Sequence, residues 1–158
     1  MKAVTVKELK EELNNRSKKE LLEYCLRLSK FKKENKELLT YLLFEADNEQ
    51  AYIQTVRNEI DEQFEEVNKK TYYFIKKSVR KILNNTKKYI RYSQKKETQV
   101  ELLIYFCTKL RDFSPSYKRN TMLKNLYGRQ IALIRKTVVS LHEDLQYDYG
   151  IELDELEE

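Results

Sequence analysis

Only three of the 158 residues are glycine or proline, two and one respectively, where average usage gives about nineteen. That scarcity constrains the chain more than anything else in it. Tight hairpin turns need residues tolerant of positive φ, and phosphate-cradling loops need a backbone without side chains. A β-sandwich, a barrel or a glycine-rich nucleotide-binding α/β fold is therefore excluded. Disorder is excluded as well, because 41% of the residues are hydrophobic beside the 36% that are charged. An all-α fold remains, and a chain of this length suits one domain that buries about 70% of its surface.

Punctuation and periodicity divide the sequence into helices. Thr5-Val6-Lys7-Glu8 and Ser17-Lys18-Lys19-Glu20 fit the capping box, in which hydroxyl and carboxylate satisfy orphan N–H groups reciprocally. They predict helices over about 5–14 and 17–29. A third, about 32–45, carries Leu38, Leu39, Leu42 and Leu43 on its apolar side. Asp47-Asn48-Glu49-Gln50 starts a fourth, in which Ile53, Val56, Ile60, Phe64 and Val67 recur every three or four residues. A fifth spans about 69–94, with Asn84-Asn85 as a place to bend. The sixth, about 98–113, is apolar nearly all round and is expected at the centre, with Leu103 in the core. Ser114-Pro115-Ser116 stops it. The last runs over about 120–148, and Gly128 within it suggests a close packing contact. The expected architecture is an irregular bundle of six or seven helices around 98–113, in one helical domain, 1–149. Residues 1–46 form an N-terminal helical subdomain and 47–149 the long-helix core. The tail 150–158, with five acids and no base, is expected to fray.

Charge is distributed unevenly. Residues 47–67 hold one base and seven acids, whereas residues 68–96 hold eleven bases and no acid. On the fifth helix Lys76, Arg80, Lys87 and Arg91 share one polar face, with Lys77, Lys81 and Lys88 beside them and Tyr73, Tyr89 and Tyr92 interleaved. Cations at this density neutralise phosphates, and tyrosines stack on unpaired bases. The competing expectation is internal. A short connection near Asn68 makes the acidic fourth helix a neighbour, so that Asp61, Glu62, Glu65 and Glu66 face some of these lysines.

Three resemblances bear on function. Val6, Leu9 and Leu13 followed by Lys18-Lys19-Glu20-Leu21-Leu22 resemble a SAP-type DNA-binding helix-turn-helix over about 25 residues, although that family's glycine-containing turn is absent. Arg135 and His142, seven residues apart, are similar to the Arg-x4–6-His motif of HEPN-type ribonucleases. That resemblance implies acid/base work by His142 and phosphate stabilisation by Arg135; Lys136 departs from the polar residue common after the arginine. Tyr89-Ile90-Arg91-Tyr92-Ser93, Asn125 to Gln130 and Ser140 to Tyr149 together resemble a family of small helical proteins from Bacteroidota. This implies an all-α fold over about 20–148 and supplies no activity or cofactor.

His142 is the only histidine, and Val139 stands three residues before it, so zinc and di-iron helix motifs are excluded. No cofactor and no metal are expected. Cys25 and Cys107 lie in apolar runs and are expected as two buried thiols in a reducing cytoplasm. No leader is read at Met1-Lys2-Ala3-Val4, and no apolar run is long enough to span a bilayer. Acids at 143, 144 and 148, near the expected end of the last helix, oppose its macrodipole and call for cationic partners. The reading that follows is a non-catalytic cytoplasmic interaction module with a protein partner and a basic, tyrosine-bearing surface. Nucleic-acid binding through 69–96 and a HEPN-like ribonuclease are its alternatives.

Overall fold

Both expected capping boxes form. The Glu8 N–H donates to the Thr5 hydroxyl at 3.3 Å while the Thr5 N–H donates to the Glu8 carboxylate at 2.8 Å. Ser17 and Glu20 repeat the exchange at 3.2 Å in each direction. These caps start α1 (Val6–Asn14) and α2 (Lys18–Phe31) in a computed structural model that describes residues 1–158, all helices and connections with no strand. The chain divides into two compact units, Met1–Phe44 and Glu45–Glu158.

In the first unit α2 packs on α3 (Lys33–Thr40), and the Asn35 side chain donates to the Leu28 carbonyl at 2.8 Å. A π-helical turn, Tyr41–Glu45, follows. Only Ser29 and Tyr41 are buried here, and Leu22, Leu28, Phe31, Leu42 and Leu43 are exposed. Cys25, expected to be buried, is exposed too. It borders a shallow apolar groove with Leu28, Leu38 and Leu42, which no element of the unit covers.

The second unit holds the core. α4 (Glu49–Glu65), capped by Asn48, buries Tyr52, Ile53, Val56, Ile60 and Phe64. α5 (Tyr72–Ser93) buries Ile75, Val79, Ile82, Leu83, Thr86 and Ile90. It runs unbroken through Asn84-Asn85, where the Asn85 amide donates to Gln63 on α4 at 3.1 Å. Gln94, in left-handed conformation at φ 60°, ends it. α6 (Lys96–Asp112) buries residues on every side, Leu102, Leu103, Phe106 and Cys107 among them, and α4, α5, α7 and α8 pack around it. A short 3₁₀ turn, Tyr117–Arg119, leads into α7 (Thr121–Val138). Gly128 makes no close contact, since a Cβ there would meet nothing within 4 Å. No helix is long and apolar enough to cross a membrane.

The helix expected over 120–148 is in fact two. α7 ends at Val138, and α8 (Glu143–Glu157) begins after His142, which brings the total to eight. The β-branched run Thr137-Val138-Val139 propagates a helix poorly, and side chains close the break. The Ser140 hydroxyl donates to the Thr137 carbonyl at 2.6 Å, and the Gln146 amide donates to the Leu141 carbonyl at 2.8 Å. Glu143 and Asp144 therefore lie in the first turn of a helix, where the macrodipole favours acids, not in the last.

The tail does not fray. Leu153 and Leu156 are 1% and 3% exposed, and the Tyr127 hydroxyl donates to the Leu156 carbonyl at 2.5 Å. Each buried leucine contributes roughly 1.5–3 kcal/mol, which offsets the ordering of a short acidic segment. The Arg135 guanidinium adds bonds to Glu157 at 2.6 Å and 2.9 Å and to Asp154 at 3.2 Å.

Candidate nucleic-acid interface

An α-helix aligns residues spaced four, three, four and three apart. On α5 this line reads Tyr73, Lys77, Arg80, Asn84, Lys87 and Arg91, a row about 27 Å long at 1.5 Å per residue. It lies opposite the buried stripe of Ile75, Val79, Ile82 and Ile90. Lys77, Arg80 and Arg91 are exposed, as is Lys81 beside them, whereas Lys76, Lys87 and Lys88 are half-buried. Lys77, Arg80, Lys81, Lys87 and Arg91 take part in no ion pair or hydrogen bond. The Lys76 ammonium lies 3.6 Å from the Met122 sulfur, and the Lys88 ammonium sits over the Tyr89 ring.

The acids of α4 do not neutralise this row: Asp61 and Glu49 turn to α6 and the turn before it, and on α5 Glu59 and Glu49 reach the Tyr89 and Ser93 hydroxyls, not the cations of the row. The Asp61 carboxylate accepts from the Tyr105 hydroxyl at 2.7 Å and pairs with Lys109 at 3.1 Å. Desolvation and that carboxylate push the Tyr105 phenol up to about 12. Glu49 accepts from the Ser93 and Thr98 hydroxyls and pairs with Lys95. Glu59 accepts from the Tyr89 hydroxyl at 2.9 Å. Glu62 and Glu66 border a groove with Lys81 but pair with nothing, and Glu65 is exposed without a partner. The packing of Phe64, Ile60 and Val56 fixes the roll of α4, and with it the direction its acids take.

The aromatic residues divide into two kinds. Tyr89 and Tyr92 are half-buried, set edge to face at 5.9 Å, with the Tyr89 hydroxyl engaged by Glu59. Tyr73 and Phe74, at the first turn of α5, are 65% and 40% exposed and touch each other edge to face at 5.4 Å.

A second cationic stretch, not apparent from block sums of charge, adjoins the first. Residues 113–142 contain six bases and no acid. Their first part reaches the start of α5, where the Tyr72 hydroxyl donates to the Ser116 carbonyl at 2.9 Å and Lys76 meets Met122. Lys118, Arg119 and Lys124 are exposed there and unpaired. The signal in the sequence is the acid-free run itself, bounded by Asp112 and Glu143.

Arg135 and His142 are not brought together. Arg135 is tied to Asp154 and Glu157 in the last turns of α8, and this raises its already high pKa further. His142 caps the opposite end of that helix, where its Nδ1 accepts from the Asp144 N–H at 3.2 Å. The fifteen residues of α8 separate those ends by about 22 Å. Arg135 also lines a cleft of about 640 Å³ with Lys118, Lys124, Tyr127, Gly128 and Leu156. No group of histidine, cysteine or acidic side chains has the geometry to hold a metal ion. No protein-family model matches the chain, and no curated protein or solved structure is significantly similar to it.

Proposed function

We propose that this protein is a non-catalytic binding module that holds nucleic acid on the cationic face of α5. The observation that carries the reading is the set of five unpaired bases, Lys77, Arg80, Lys81, Lys87 and Arg91, on a helix whose acidic neighbour engages Glu49, Glu59 and Asp61 with other side chains and pairs none of its acids with these five. Cations left without partners along about 21 Å of helix, from Lys77 to Arg91, match a chain of phosphates, and their binding is driven by counterion release.

The test is a salt titration of binding to a labelled oligonucleotide. About four to six phosphate contacts give a log–log slope near −3 to −5. Replacing Lys77, Arg80, Lys87 and Arg91 together by glutamine reduces that slope by about 3 and leaves the helical circular dichroism unchanged, since none of the four holds another residue. Undetectable binding at low salt overturns the reading in favour of an acidic protein partner.

A further inference from the structure

Tyr73 and Phe74 leave aromatic surface uncovered at the first turn of α5. The Tyr73 ring is 65% exposed and its hydroxyl has no hydrogen-bond partner, and Phe74, which meets it edge to face, keeps 40% of its surface in solvent. The part of an aromatic pair left in water adds nothing to the fold. Its position is specific, however. It stands at the head of the α5 row, one residue from Tyr72, whose hydroxyl ties α5 to Ser116, and next to the turn where Lys118, Arg119 and Lys124 take the positive charge off the line of the helix. Two acid-free stretches, 67–96 and 113–142, thus meet beside two free rings.

Resting on the nucleic-acid reading above, we propose that the ligand is single-stranded, with an unpaired base stacked on Tyr73 and Phe74 and the phosphates on either side of it running along α5 and towards Lys118–Lys124. A duplex keeps the faces of its bases inside the stack and offers these rings nothing. A single strand presents a π-face at every nucleotide, and each base stacked on an aromatic side chain adds affinity without regard to sequence. A duplex is also stiff over about 150 base pairs, whereas a single strand follows cations that leave a straight line. Tyr89 and Tyr92 contribute no such platform, because their rings are set against each other and half-covered.

The test compares a labelled oligothymidylate of about 20 nucleotides with a duplex of equal length, using the full chain and its Tyr73→Leu/Phe74→Leu variant. The single strand is expected to bind the more tightly. The double variant loses about 10-fold in affinity for it while its affinity for the duplex stays within about 2-fold. A second measurement does not depend on the loss of binding. The chain has no tryptophan, so Tyr73→Trp places a single indole in the row, and its emission is quenched by the single strand and not by the duplex. Equal binding of both ligands, with no effect of the double variant and no quenching, overturns this proposal and leaves phosphate binding by α5 standing. Binding of neither ligand at low salt overturns the nucleic-acid reading itself, and with it the stacking site.

Discussion

Residues 1–44 and residues 45–158 are both built of helices that carry apolar stripes, and they differ in what lies against the apolar side. In the second unit α6 is enclosed by four other helices, and Val100, Leu102, Phe106, Cys107 and Leu110 lose all contact with solvent. In the first unit α2 and α3 pack as a pair, and a pair cannot enclose a stripe that extends past their line of contact. Leu28, Leu42 and Leu43 stay more than half exposed. Periodicity decides that a helix forms and which side is apolar. Burial is decided by the number of layers, which periodicity does not report.

The two cysteines read out that contrast directly, and with the largest expected effect. Cys25 is exposed, whereas Cys107 is enclosed and burial pushes its thiol up to about 12. One equivalent of a thiol reagent should react quickly with the native protein, and Cys25→Ser should abolish that phase. Modification of Cys107 requires α6 to open, so its rate should be lower by about 10³-fold or more. Comparable rates at both sites would erase the difference between the units.

Removal of 150–158 comes next. It deletes Leu153 and Leu156 from the core and takes Glu157 and Asp154 from Arg135. At roughly 1.5–3 kcal/mol per buried leucine, the cost is about 3–6 kcal/mol, measured by urea denaturation of the truncated chain. Leu103→Ala, in the middle of α6, should cost roughly 2–5 kcal/mol by the same measurement. A loss under about 1 kcal/mol in either case would mean that α6 and α8 do not share a tight core.

What the sequence disclosed, and what it withheld, follows the same division between local and non-local causes. Thr5/Glu8 and Ser17/Glu20 are complete within four residues, and Pro115 acts on its own neighbours, so those boundaries are legible. The break after Val138 has no glycine or proline to announce it. It depends on Ser140 and Gln146 reaching back to carbonyls, and it puts Glu143 and Asp144 at the start of a new helix instead of the end of a long one. Leu153 and Leu156 stand three apart within the tail, but five surrounding acids give that segment the composition of a solvated end. In the candidate interface the basic content of α5 is plain from composition. That Asp61 turns to Tyr105 and Lys109 instead of to α5 is set by the roll of α4, and no property of Asp61 itself encodes it.

The smallest effect is the sharpest test of the first unit. Leu28 is 62% exposed on α2, and lysine is nearly as good a helix former as leucine. Leu28→Lys removes little buried area and adds a charge that stays in water, so its stability change should lie within about 0.5 kcal/mol. The same exchange at Leu103 would strand an ammonium in the core and unfold the protein. Measuring the Leu28 variant at protein concentrations about 100-fold apart adds a second readout. An effect that is small and independent of concentration means that this side of α2 carries no stability. A cost above about 1 kcal/mol that grows with concentration means that copies of the chain cover it, because mass action stabilises only what is bound.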